Sequence, residues 1–128
     1  MPYAINHIHL RATDPQRSAA WWVKAFNFTI VSDTERASGV RFVACDSENG
    51  VRVNISSAGT GETLPPGDAG LREGLEHFGV DSVNLEQDIE RLSALGASLV
   101  DGPRPGSVSR VCFLEAPDHV RIELIERQ

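Results

Sequence analysis

The sequence predicts an α+β fold made of two copies of one strand–helix–strand–strand–strand unit. Three observations lead there. A short strand-like run with an early histidine occurs twice, as Ile5-Asn6-His7-Ile8-His9-Leu10-Arg11 and as Leu75-Glu76-His77-Phe78-Gly79-Val80-Asp81, and each leads into a helix-like segment. The strands that close the two halves match in letters, Val51-Arg52-Val53-Asn54-Ile55-Ser56 against Val120-Arg121-Ile122-Glu123-Leu124-Ile125. The internal spacing agrees: Asn54 lies 47 residues after His7, and Glu123 lies 46 after His77. A period of about 70 residues is longer than a solenoid repeat and fits an embedded pair.

Each element has a local reason. Residues 5–11 alternate, with Ile8 and Leu10 on one face and His7, His9 and Arg11 on the other, which is the pattern of a half-buried strand. Asp14-Pro15 opens a helix, with Asp14 as N-cap and Pro15 in the first turn. Ala19, Ala20, Trp22, Val23 and Phe26 then recur at helical spacing, and Asn27 suits a left-handed C-cap. Trp21 and Trp22 are adjacent on this helix and cannot share a face; Trp22 fits the core, and Trp21 meets a partner copy or lies over the pocket. Phe28–Ser32, Val40–Cys45 and Val51–Ser56 read as strands, the last two joined through the Asn49-Gly50 turn.

Between Ser57 and Glu73 the periodicity stops. Glycines at 59, 61, 67 and 70 and the pair Pro65-Pro66 mark a linker or a mobile lid. The second copy follows. Leu75–Ser82 is a strand, Asn84 caps a helix that runs to Leu95 and stops at Gly96, and Ser98–Asp101, Val108–Glu115 and Val120–Glu126 are strands. The chain is therefore expected to be one domain, with module one at about 1–56, a loop at 57–73 and module two at about 74–128.

Bulk composition bounds the function. A chain of 128 residues, 41% apolar and 23% charged, is long enough for a core and ordinary for a globular protein. The net charge of −6 argues against a nucleic-acid surface, so small molecules are the expected partners. No apolar run approaches the roughly 18 residues of a membrane span, and the N-terminus lacks a basic-then-apolar leader, so a cytoplasmic location is expected. Cys45 and Cys112 each sit in an apolar run and read as buried thiols.

The polar strand faces carry the chemistry. Alternation puts Arg52, Asn54 and Ser56 opposite Val53 and Ile55, and Arg121 and Glu123 opposite Ile122 and Leu124. The repeat-related positions are His7 with His77, and Asn54 with Glu123. If the two copies pack about a pseudo-twofold axis, the histidines face one another across a shared cavity. Two imidazoles and a carboxylate make a ligand set for one divalent metal (Mn, Fe, Ni, Co or Zn), with positions left open for substrate. His9, on the same face as His7, is a catalytic acid/base candidate, a support for a ligand or a polar wall residue. Arg52 and Arg121 suit a substrate carboxylate or phosphate, or are solvated at a strand edge.

The chain resembles the vicinal oxygen chelate superfamily, which includes glyoxalase I, fosfomycin-resistance thiol transferases, extradiol dioxygenases, methylmalonyl-CoA epimerase and bleomycin-binding proteins. The resemblance rests on Asn6-His7-Ile8-His9-Leu10 with Asp14, on Glu76-His77, and on Phe113-Leu114-Glu115-Ala116-Pro117-Asp118 followed by Arg121-Ile122-Glu123-Leu124-Ile125-Glu126. It implies paired βαβββ modules forming a cupped, barrel-like mixed sheet with helices outside. It also implies His7, His77 and Glu123 as metal ligands, a small-molecule substrate and a homodimer. Asn54 stands where glyoxalase I supplies a further glutamate, so a three-ligand centre is expected. Ala116 and His119 replace the first aspartate and the glycine of the family's Asp-Pro-Asp-Gly turn, and His119 is expected as a turn residue. The function expected is that of a metal-dependent enzyme (lyase or isomerase, thiol transferase or dioxygenase) acting on an oxygen-chelating metabolite or antibiotic. The alternative is non-catalytic sequestration of the bleomycin-resistance type.

Overall fold

Two helices open with the same device. Asp14 accepts from the Arg17 N–H and starts α1 (Pro15–Phe26); 70 residues on, Asn84 accepts from the Gln87 N–H and starts α2 (Leu85–Ala94). Both end in left-handed backbone, at Asn27 (φ 58°) and Gly96 (φ 100°), which lets late carbonyls find donors without steric penalty.

In this computed structural model, which describes residues 2–127, the chain divides into two compact units, residues 1–65 and 66–128. The first holds β1 (Ile8–Arg11), α1, β2 (Thr29–Glu35), β3 (Arg41–Asp46) and β4 (Arg52–Ser56), with sheet order β1-β4-β3-β2. The second holds β5 (Phe78–Ser82), α2, β6 (Ser98–Pro105), β7 (Ser109–Ala116) and β8 (Val120–Arg127), in the order β5-β8-β7-β6. In each unit the first strand pairs parallel with the last and the other pairings are antiparallel, so each sheet is mixed and open. The expected α+β class and the doubled βαβββ order are both observed.

Register repeats as well. Ile8 pairs with Val53 and His9 with Asn54; Phe78 pairs with Ile122 and Gly79 with Glu123. Because side chains alternate along a strand, matched registers carry matched faces. Val53 and Ile55 are buried in one unit, Ile122 and Leu124 in the other, while Asn54 and Glu123 stay half-buried. Trp22 and Leu92, repeat equivalents, are each fully buried on their helix. Trp22 stacks on Phe28 at 5.4 Å.

Several boundaries differ from expectation. β1 and β5 begin at Ile8 and Phe78, so His7 and His77 stand one residue ahead of their strands. The α1 core face is Pro15, Ser18, Ala19, Trp22 and Ala25, with Ala20 exposed. β6 runs on through Pro103 and Pro105, tolerated because it is an edge strand that need not donate outward. Gly102 is required there: its φ is 88°, and a Cβ would come within 2.8 Å of the Val111 carbonyl oxygen. The segment between Ser56 and Phe78 has no helix or strand, yet it is pinned at points. Ser57 accepts from the Arg41 N–H and from Arg11, and Ala69 is buried under Arg121. His119 has φ 61° in the turn before β8, so it is a turn residue as expected.

Candidate functional site

The second unit gathers its polar groups around His77. The parallel pairing of β5 and β8 sets Gly79 opposite Glu123, and His77 lies just before β5 on the same side. His77 Nε2 stands 3.7 Å from Glu123 Oε1. Its other ring nitrogen, Nδ1, is 3.0 Å from Glu76 Oε1. Glu76 thus engages Nδ1, and Nε2 is the ring nitrogen that faces Glu123. The edge of the imidazole meets the Phe113 ring at 5.1 Å, and Phe113 is the cross-strand partner of Glu123.

This pair fits a metal. Donors each about 2.1 Å from one ion lie roughly 3.0–3.4 Å apart, and 3.7 Å is a few tenths of an ångström from that. A carboxylate on the far nitrogen is the arrangement that orients metal-binding histidines. Among the described residues, no group of three or more His, Cys, Asp or Glu side chains is already drawn together for an ion. In the second unit His77 and Glu123 are the two candidate ligands brought together.

The first unit repeats part of the plan. His7 is exposed, and its Nδ1 meets Asn6 Oδ1, so the residue just before the histidine again occupies Nδ1 and leaves Nε2 open. His9 occupies the position that Gly79 holds in the second copy. Its Nε2 is 2.7 Å from Ser56 Oγ and its ring packs edge-on to Phe42 at 5.5 Å. Partial burial, followed by the neighbouring Arg11 guanidinium, pushes the His9 pKa down. Asn54, beside His9 in register, has a buried Oδ1 with no hydrogen-bond partner among the described residues.

The two arginines behave differently from one another. Both lie on interior strands rather than at an edge. Arg52 pairs with its cross-strand neighbour Asp46 at 2.6 Å, which raises its pKa. Arg121 is buried, donates from Nη1 to the Ala69 carbonyl at 2.9 Å, and lies 4.4 Å over Phe113. Its Nε is 3.4 Å from Glu76 Oε1. Glu76 and Phe113 are the neighbours of His77 that periodicity gave no reason to select. The signal was present in the matched pairs Asn6-His7 and Glu76-His77, each an oxygen-bearing side chain followed by histidine.

A family model, the glyoxalase/bleomycin resistance protein/dioxygenase superfamily, matches residues 4–124. The chain belongs to that superfamily. Members share its fold at low sequence identity. A glyoxalase family protein from Bacillus cereus is 14% identical with a TM-score of 0.83, over 99% of this chain and 95% of that one. A variant of the fosfomycin resistance protein FosX from Listeria monocytogenes, complexed with Mn(II) and 1S,2S-dihydroxypropylphosphonic acid, is 19% identical with a TM-score of 0.75, over 100% and 95%. An antibiotic binding protein from a Streptomyces species is 17% identical with a TM-score of 0.68, over 99% and 98%. A search of curated proteins finds no match. The superfamily thus spans catalysts and binders, and the fold alone does not choose between them.

Proposed function

We propose that this superfamily member is a metal-dependent enzyme acting on a small molecule with adjacent oxygens, with His77, Glu123 and His7 as metal ligands. The observation that carries the reading is His77 held between two carboxylates, Glu76 on Nδ1 and Glu123 facing Nε2. A divalent ion held there supplies a Lewis acid for an enolate or alkoxide formed in isomerisation, epimerisation, addition or ring cleavage. The FosX relative crystallised with Mn(II) supports the choice of ion.

Chain residues do the rest. Glu123 and His9 are the candidates for moving a substrate proton, His9 because Ser56 fixes its ring. Asn54, whose buried Oδ1 has no hydrogen-bond partner among the described residues, is a candidate for a substrate hydroxyl. Arg52, held by Asp46, is a candidate for a substrate anion. In this reading the protein works in the cytoplasm as a homodimer, so His7 is available from either copy.

Sequestration without chemistry is the second reading, favoured by the Streptomyces antibiotic binding protein that shares the fold along nearly all of this chain. Metal-stripped protein separates the two. Equilibrium dialysis against Mn, Fe, Co, Ni and Zn should give about one ion per wild-type chain and none for His77→Ala. A wild type that takes up none of these, yet binds candidate antibiotics undiminished, would establish sequestration instead.

A further inference from the structure

We infer that Arg121 is a positioning residue for His77, acting through Glu76. Its purpose rests on the metal-centre reading above; its test does not. Four side chains form a closed circuit in the second unit. Arg121 Nε faces Glu76 Oε1 at 3.4 Å as an ion pair without hydrogen-bond geometry, and the same oxygen lies 3.0 Å from His77 Nδ1. The His77 ring meets Phe113 at 5.1 Å, and Phe113 lies 4.4 Å beneath the Arg121 guanidinium. Arg121 is itself fixed, with its side chain buried and Nη1 bonded to the Ala69 carbonyl. The positive charge that faces Glu76 is thus held in a fixed place.

The duplicated fold shows that this is a departure from the default. Arg52 is the repeat equivalent of Arg121 and pairs with its cross-strand carboxylate, Asp46. Arg121 has a carboxylate at the matching place, Glu115, directly across the ladder. Glu115 instead engages the turn residue His119 at 2.6 Å, and Arg121 turns toward Glu76 and the loop. A buried guanidinium diverted from the acid beside it, toward the acid that holds a candidate ligand, has a chemical consequence. A free imidazole prefers its proton on Nε2, and a hydrogen bond at Nδ1 reverses that preference. Arg121 and Glu76 together keep the His77 lone pair on Nε2, the side facing Glu123. His7 has only the neutral Asn6 in this role, so control is concentrated in the second unit.

Two-bond proton–nitrogen correlation spectra of metal-free, 15N-histidine-labelled protein read the tautomer directly, with His77 assigned by its loss in His77→Gln. Wild-type His77 should be the Nδ1–H tautomer. Glu76→Ala, at a half-buried site, and Arg121→Met should both move it toward Nε2–H, and Arg121→Lys should restore it in part. Mn(II) affinity should fall by about 10–100-fold in Glu76→Ala and Arg121→Met. An unchanged Nδ1–H tautomer in both variants would overturn the proposal, as would a wild type already in the Nε2–H form. A wild type that shows the tautomer response but takes up no metal would sustain the positioning role and sink the metal reading.

Discussion

Gly79 and Glu123 face each other across parallel strands, and a Cβ at Gly79 would lie 3.7 Å from Glu123 Oε1 and 3.3 Å from Ile125 Cδ1. A single methyl there would be in ordinary contact with the carboxylate, and anything larger would press on it. An alanine asks Ile125 to give by a few tenths of an ångström, whereas the branched methyls of valine crowd the carboxylate itself. Gly79→Ala should bind Mn(II) nearly as wild type does. Gly79→Val should fold but lose at least about tenfold in affinity, the scale of disturbing a ligand's support. Calorimetric titration of both variants checks this.

Trp22 and Leu92 show what holds each unit together. Each is the fully buried centre of its helix face, so shortening either leaves a void that the packed sheet cannot fill. Leu92→Ala should cost about 2–5 kcal/mol and Trp22→Ala about 3–5 kcal/mol, read from urea unfolding. Ala20→Ser, on the exposed side of α1, should be nearly neutral.

Arg110 ties the start of α2 to β8. It forms a two-pronged pair with Glu86 at 2.7 and 2.9 Å and also reaches Glu126, which accepts from the Leu85 N–H. The Arg110 pairing lowers the Glu86 pKa to about 2, from 4.5. A depressed carboxylate contributes stability above its unfolded pKa and loses it as pH falls through the folded one. Glu86→Gln should therefore have a slightly lower urea midpoint than wild type at pH 7, and the gap should close between pH 4.5 and about 2. The effect is small because the pair is exposed.

Cys45 and Cys112 are both fully buried, and burial pushes the Cys112 thiol up to about 11 and Cys45 upward as well. The thiolate is the reactive form, so both should be inert. Ellman's reagent at pH 8 should modify neither thiol in native protein and both in guanidinium.

The repeat was legible because it is written twice, in spacing and in letters. Asp14 and Asn84 announce their helices by cap chemistry, and Asn27 and Gly96 end them the same way. The strand faces at Val53–Ile55 and Ile122–Leu124 follow from period two. Arg121 was not legible: alternation put it on a polar face, and only the fold of the 66–76 segment over it shows that it is buried. The extent of β6 was hidden for a related reason, since Pro103 and Pro105 argue against a strand until their edge position is known.

The most direct test is paramagnetic broadening of the imidazole signals in metal-free protein as Mn(II) is added. His7 and His77 should broaden together and be complete at one ion per chain, and both responses should vanish in Glu123→Gln. Broadening of His77 without His7, or of neither below several equivalents, would contradict a shared centre.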